Sequence, residues 1–523
     1  MRPARLLRDP GLTRASRRTV LHGAAACIVA PWFVRHALAA DVPRFALGIA
    51  SGQPHASGMV LWTRLTGDNL PERVPVQWEL ARDEAFTDIA ARGEEQAEAD
   101  WAHSVHAEPL GLEPARWYWY RFRALGQQSM AGRTRTAPAA DATATLNFAI
   151  ASCQRWDVGY YAAWRHMAAE QLDMVMFLGD YIYEYPSPPG ALRRTEGFGI
   201  GTVSTLSQYR ARYATHKGDP DLQAAHAAAP WLLVWDDHEV DNDYANLQGQ
   251  HLQSDFAAQR AAAYRAYWEH MPFPKSARPV GPDMRITGRL DWGTLARIHL
   301  LDDRQYRDVQ VCPKPRRGGS NTVALRDCPE LLDPKRTLLG MAQEQWLAEG
   351  WDTTRPWNLL AQQTLMARFS WTDPARSGEA GGGTYWTDGW DGYAPARNRL
   401  LGAVAARKVR GVVVLGGDVH TNYVADLKAD FDDANAPVIA TEFCGTSITS
   451  LSLPQQRIDT ARSFNPHLHY ARSDQRGYMR FALDAQRMQV QLRVVDDARD
   501  PRSGITTAAR FAVDAAKPGT TPA

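Results

Sequence analysis

Beyond residue 145 the chain is punctuated by short apolar runs that are continuous rather than alternating, at 146–151, 174–178, 231–235, 295–301, 357–361, 412–415 and 438–440. A strand with one wet face alternates apolar and polar residues. Continuous runs of this length belong to sheets covered on both faces. A helical stretch such as 160–171 lies between the first two, so the predicted class is α/β, with sheets flanked by helices. Five of the runs end in side chains suited to metals or phosphate. The first is followed by Ser152-Cys153-Gln154 and the second by Gly179-Asp180-Tyr181-Ile182-Tyr183. Asp236-Asp237-His238-Glu239, Asp302-Asp303-Arg304 and Gly416-Gly417-Asp418-Val419-His420 follow three others. In such sheets the carboxyl ends of the strands form the ligand crevice, so the five sets are predicted to converge on one edge.

Several carboxylates at one edge repel one another unless cations neutralise them. A thiolate, a phenolate, an aspartate and a histidine are plausible ligands for one iron ion. Carboxylates with amide oxygens suit a hard cation such as Ca²⁺, Mg²⁺ or Mn²⁺. Two cations about 3.5–4 Å apart, bridged by a carboxylate, make a template for phosphoryl transfer. Each residue also has a plainer reading: Cys153 as a packed thiol, Tyr183 as an aromatic wall, and Asp236 and Asp237 as a helix N-cap pair.

The remainder frames this centre. Residues 44–138 read as an all-β sandwich, with strands around 58–63, 76–80 and 117–123. Leu112 to Tyr118 resembles the tyrosine corner of fibronectin-type domains. His103 and His106 read as solvated residues of a polar connection. A Thr/Ala/Pro linker follows at 134–144, and the catalytic unit is predicted over 145–500. Tyr478–Leu483 and Met488–Val494 are predicted to pair as a hairpin, and 501–523 reads as a tail. Long loops at 186–204 and 313–335, with the glycine run 381–383, are expected to shape the entrance, and Trp386 and Trp390 read equally as walls of it or as surface packing. The helix around Gln343 is read as packing. Cys312 and Cys328 flank one of the loops, and a disulfide is expected if the compartment is oxidising.

The first 39 residues read as an address. Arg17-Arg18 precedes an apolar run broken by Pro31, and Ala37-Leu38-Ala39 offers a cleavage site, the pattern of a twin-arginine export signal. Cys27 lacks the leucine expected before a lipid-anchor cysteine. The twin-arginine machinery carries folded, often cofactor-loaded proteins, so a periplasmic or secreted protein is predicted. A formal charge of +1 argues against a general nucleic-acid binder, and no later run is long enough for a stable membrane span.

The strings Ala151-Ser152-Cys153-Gln154, Leu178 to Glu184, Trp235 to Glu239 and Leu415 to His420 resemble the PhoD-type alkaline phosphatase/phosphodiesterase family. More broadly they resemble the calcineurin-like metallophosphoesterase superfamily, and the Tyr183 position is similar to that of purple acid phosphatases. The resemblance covers nearly the whole chain. It implies a metallophosphoesterase β-sheet sandwich flanked by helices, preceded by a small fibronectin/Ig-like sandwich. It also implies a dinuclear Fe³⁺ and Ca²⁺ centre. Carried over, Cys153, Asp180, Tyr183 and His420 would hold the iron. Asp180 would bridge to a calcium site with Asp237 and Asp418, and Asn242, Gln363 or Asp236 would supply a third ligand. Cys153 stands where the superfamily usually has Asp, and Asp418 where it usually has His. These exchanges favour a softer iron site beside an all-oxygen neighbour. His238 is expected to donate a proton or touch the transition state. Arg304, and less directly Arg155, is expected to grip phosphate in bidentate fashion unless it pairs with Asp302 or Asp303. The implied function is a secreted, metal-dependent alkaline phosphatase hydrolysing phosphate esters by attack of a metal-bound hydroxide. The alternative is a phosphodiesterase or phospholipase-D-like enzyme using the same site. Minor alternatives are a non-catalytic phosphate-binding protein and an amide or lactone hydrolase, the latter lacking its usual His-x-His-x-Asp-His string here.

Overall fold

Hydrogen bonding joins the apolar runs into two large sheets. The computed structural model describes residues 42–194, 202–375 and 382–523. The predicted export signal and part of the glycine run lie outside these residues. Leu146–Ala151, Met174–Phe177 and Trp231–Leu233 run parallel and side by side in a ten-stranded sheet. Ala296–Leu300, Trp357–Ala361, Val412–Gly416 and Val438–Cys444 form the parallel centre of a seven-stranded sheet. Their inner faces meet in one core, where Phe148 stacks on Phe481 at 4.5 Å and Phe443 meets Phe481 edge-on at 5.5 Å. Helices cover both outer faces. On the larger sheet Ala162–Ala168 and its neighbours bury Trp164 against Trp231. On the smaller sheet Met341–Gly350, Ala394–Ala406 and Gln455–Arg462 close a second core. Both faces of each central strand are therefore dry, which explains why the runs do not alternate.

The N-terminal sandwich shares a sheet with the rest. Arg73–Ala81, Ile89–Glu98, Trp117–Ala124 and two short strands make one layer. Ile49–His55, Gly58–Arg64 and Ser104–Ala107 make the other, and this second layer is also the edge of the ten-stranded sheet. The join is Gly52, bridged to Trp231. A Cβ on Gly52 would lie 2.7 Å from the Trp231 carbonyl and 2.8 Å from that of Pro272, so the close approach requires glycine. Val76, Leu80, Tyr120 and Phe122 pack against Ile49, Leu61 and Val105 across the layers. The tyrosine-corner hydroxyl of Tyr118 accepts a hydrogen bond from the Glu113 backbone N–H at 2.9 Å.

Two expectations change. His106 is buried, not solvated: its Nδ1 lies 2.8 Å from the Phe273 carbonyl and its ring stacks on Trp268 at 3.8 Å. Burial pushes its pKa down to about 3, and the Phe273 carbonyl only partly offsets this. His103, half-buried, lies 2.8 Å from the Pro71 carbonyl. The second correction concerns 501–523, which is no tail. Ile505–Asp514 and Lys517–Pro522 extend the predicted hairpin of Gly477–Leu483 and Arg487–Val495 to the far edge of the larger sheet. Backbone pairing holds these strands although their sequence carries few large apolar residues. The Cys312–Cys328 disulfide is formed.

Candidate metal centre and active site

The strand ends converge, but from the two facing sheets rather than along one edge. Turns immediately after the strands deliver Cys153, Asp180, Asp418 and His420, and all four residues take left-handed backbone conformations, with φ of 59°, 62°, 64° and 52°. Such conformations are costly for residues with a Cβ and persist where the surroundings over-determine them. The surroundings here are specific. The Cys153 and Gln154 amides donate to the Gly179 and Asp180 carbonyls at 3.0 Å, lacing the first turn to the second. Gly179, at φ +104°, lies so close to Asp236 that no Cβ fits. The buried Glu239 carboxylate accepts from the Asp180 amide at 3.0 Å, the Asp236 amide at 2.6 Å and the Tyr181 amide. Glu239 thus ties two turns together from below, a role its place in the Asp-His-Glu string does not reveal.

Ligand atoms of Cys153, Asp180 and His420 lie within 4.8 Å of one another, and so do those of Asp180, Asp237 and His238. Asp180 belongs to both groups. Tyr183 completes the first: its hydroxyl donates to Asp180 Oδ2 at 2.8 Å and lies 3.1 Å from His420 Nε2. Ser450 Oγ donates to the same hydroxyl at 2.7 Å. His420 Nδ1 faces the Leu451 carbonyl at 2.7 Å, which directs Nε2 into the crevice in the manner of a metal-ligating imidazole. Asp180 Oδ1 is buried and has no hydrogen-bond partner. Burial first, then the neighbouring carboxylate of Asp180, pushes the Cys153 thiol and Tyr183 phenol well above their ordinary values. An orphaned carboxylate oxygen beside a thiol, a phenol and an aimed imidazole fits a cation, which would release their protons.

The acidic side is arranged differently. Arg304, 1% exposed, directs Nε to Asp236 and Nη1 to Asp388, with Asp418 at 3.5 Å and Asp237 at 3.8 Å. It is therefore not free to grip phosphate as expected. Its backbone amide meets Asp302 at 3.0 Å, while its side chain turns away from Asp302 and Asp303. Buried carboxylates need a counter-charge, and Arg304 supplies it. Arg307 and Gln310 hold Asp388 from the other side, at 2.8 and 2.6 Å. Asp243 and Asp388 lie with Asp237 in a third acidic group. Both are missing from the expected set, because neither ends a buried strand.

The candidates for a third calcium ligand separate. Asp236 turns Oδ1 to Arg304 and keeps Oδ2 buried without a hydrogen-bond partner, so it alone of the three retains an open ligand atom of this kind. Gln363 accepts from the Asp303 amide at 3.1 Å and donates to the Leu301 carbonyl at 3.0 Å, so it is a backbone clamp. The Asn242 side chain donates to Gln250 at 3.2 Å. Gln343 anchors its helix to the Asp302 backbone at 2.9 Å in both directions, a firmer role than packing. Arg155 makes a bidentate pair with Asp157 at 2.7 and 3.3 Å. His238 places Nδ1 2.7 Å from the buried Glu184 carboxylate, which leaves Nε2 for a substrate. Burial alone would lower its pKa, but Glu184, Asp180 and Asp237 outweigh that and raise it well above the ordinary value. Trp386 and Trp390 both line a groove that opens beside Asp418 and His420.

Residues 148–492 match the PhoD-like phosphatase family, and residues 33–138 match the PhoD-like phosphatase, N-terminal domain. The alkaline phosphatase D of Bacillus subtilis (strain 168) is 41% identical over 486 residues, covering 89% of this chain and 80% of that protein. A solved PhoD structure superposes with a TM-score of 0.85 at 40% identity, covering 92% of both chains. The purple acid phosphatase PPD1 of yellow lupin seeds shares the fold at 10% identity, with a TM-score of 0.50 over 91% of this chain and 77% of that one. Fold, strand-end strings and these likenesses agree: the chain belongs to the PhoD-like phosphatase family.

Proposed function

We propose that this protein is an exported, metal-dependent alkaline phosphatase whose centre holds Fe³⁺ and Ca²⁺. As a family member it is a phosphoric ester hydrolase. The observation that carries the metal reading is the place of Asp180 in two ligand groups at once, with one carboxylate oxygen unpartnered. Cys153, Asp180, Tyr183 and His420 would hold the iron, and Asp180, Asp237 and Asp418 the calcium. When bound, the ions supply Lewis-acid polarisation of the phosphoryl group and acidification of water. Glu239 holds the Asp180 turn in place, and Arg304 keeps Asp236 and Asp388 from repelling each other. His238, oriented by Glu184, carries the proton that the departing alkoxide needs. That role also disfavours a mere phosphate binder.

The groove beside the crevice favours a second reading, a phosphodiesterase with the same machinery, because a second organic group has somewhere to lie. Export through the twin-arginine route is supported by Arg17-Arg18 and by the Cys312–Cys328 disulfide, which suits an oxidising compartment. The same reading ends the export segment near residue 39. It places a sandwich at 44–138 and joins the last two strands to the catalytic unit. Among the described residues no helix is long and apolar enough to cross a membrane. The test is metal analysis of the exported protein, together with turnover of a monoester and a diester of one alcohol. Iron, calcium and hydrolysis are expected, with a visible absorption band that Tyr183→Phe removes. Metal-loaded protein that hydrolyses neither ester would overturn the reading.

A further inference from the structure

The groove that opens from the crevice has a volume of about 570 Å³, and Asp418 and His420 form its inner end. Its walls differ in character from the crevice. Phe369 and Trp371, in edge-on contact at 4.7 Å, line it together with Trp386. Leu451 and Leu453 stand with them in the lining, 66% and 40% exposed, so their apolar surface faces water rather than a core. Besides Asp418 and His420 the lining holds two charged residues, Asp391 and Arg457. Asp391 accepts from Arg397 at 2.6 Å and from the Phe369 amide at 2.8 Å. The Arg457 guanidinium lies over the Trp371 ring at 5.2 Å. A sugar or glycerol group placed here would leave aromatic and leucine surface wet and lose hydrogen bonds to water. An apolar group would bury both surfaces.

Building on the phosphatase reading, we propose that this groove is the subsite for the alcohol portion of the substrate and that this portion is apolar. The substrate class is then phosphate esters of apolar alcohols, with phosphorus at the Asp418–His420 end and the organic group between the aromatic wall and the two leucines. Specificity lies in Trp386, at the end of the short strand Thr384–Trp386, and in the loop residues Leu451 and Leu453.

Unbranched alkyl phosphates from propyl to octyl test this, because their leaving groups have nearly the same basicity and differ only in apolar length. With the metal-loaded full chain, kcat/KM for octyl phosphate should exceed that for propyl phosphate about tenfold or more. In Trp386→Ala and in Leu453→Ser the octyl-to-propyl ratio should fall to within about threefold, whatever the absolute rates. Leu453→Ser is an exposed change, so it reads the ratio even if the tryptophan variant does not fold. A flat series in the parent protein, with propyl phosphate hydrolysed, overturns the subsite. So does a ratio that survives in Leu453→Ser and Trp386→Ala alike. If the parent hydrolyses no member of the series, the monoester reading falls and the subsite falls with it.

Discussion

The two sides of the crevice solve the same problem in opposite ways. On one side Cys153, Asp180, Tyr183 and His420 gather with one carboxylate oxygen unpartnered and two acidic protons held far above their usual values. On the other, Asp236, Asp388, Asp237 and Asp418 surround the guanidinium of Arg304, with Arg307 behind Asp388. Both sides are buried, and both draw on turns from the two large sheets. One is neutralised in part by a cationic side chain of its own, and the other leaves the whole of that charge to be supplied from solution. A cluster of acids is therefore weak evidence for a metal until its internal cations have been traced. An unpartnered oxygen does not separate the sides by itself, because Asp236 Oδ2 lacks a hydrogen-bond partner as Asp180 Oδ1 does; the guanidinium packed among the acids does.

The largest expected effect falls on the residue that adjoins both sides. Asp180→Asn removes the shared carboxylate charge while keeping its shape. Hydrolysis of an aryl phosphate should drop about 10⁴-fold, equivalent to about 5.5 kcal/mol of transition-state stabilisation. Retained activity would show that the open side is not the reacting one. On the balanced side the expected loss is stability. Arg304→Met leaves Asp236 and Asp388 buried without their main counter-charge, which should cost about 3–5 kcal/mol in denaturant unfolding of the metal-free protein. If calcium restores most of that loss, an ion can replace the guanidinium, and the contrast between the two sides is one of occupancy rather than design.

A smaller effect sharpens the role of the residue between them. His238→Ala should lower kcat by about 10²-fold for an alkyl phosphate, whose alkoxide needs a proton. For p-nitrophenyl phosphate, whose leaving group departs as a stable anion, the loss should stay within about tenfold. Equal losses on both esters would assign His238 to holding Asp180 and Asp237 rather than to proton transfer.

How much of this could be read without coordinates follows from where each residue sits. Residues directly after a parallel strand are fixed to the carboxyl edge of its sheet by topology, so Cys153, Asp180, Asp237, Asp418 and His420 were legible. Tyr183 was legible because it stands three places after Asp180. Asp388 follows only the short strand Thr384–Trp386, and Asp243 sits in a turn-rich loop, so no apolar run points to either. Arg304 reads as a phosphate grip, or else as a partner of its neighbours Asp302 and Asp303, whereas burial sends it to Asp236, 68 residues away. His106 misled for a related reason. The polar composition around it hides the four-residue strand Ser104–Ala107, and that strand carries it against Trp268. The last two strands lie at a sheet edge and bury little beyond Phe511, Ala512 and Val513, so their composition carried little signal.

The smallest expected effect concerns Arg155, at the mouth of the open side. Its guanidinium is 5.8 Å from the Tyr183 ring centroid, close enough to reach a bound phosphate if it were free. It is held instead by Asp157 in a bidentate pair whose arginine is 26% exposed. A partly exposed pair of this kind is worth less than about 1 kcal/mol, because solvent screens it. Arg155→Ala should therefore change stability by less than that. It should also leave kcat/KM for a phosphate ester within about threefold, or about 0.7 kcal/mol. A fall of a hundredfold in kcat/KM with unchanged stability would mean that substrate breaks the Asp157 pair and recruits Arg155. The open side would then draw a cation from the chain as well as from solution, and its difference from the Arg304 side would narrow to one of timing.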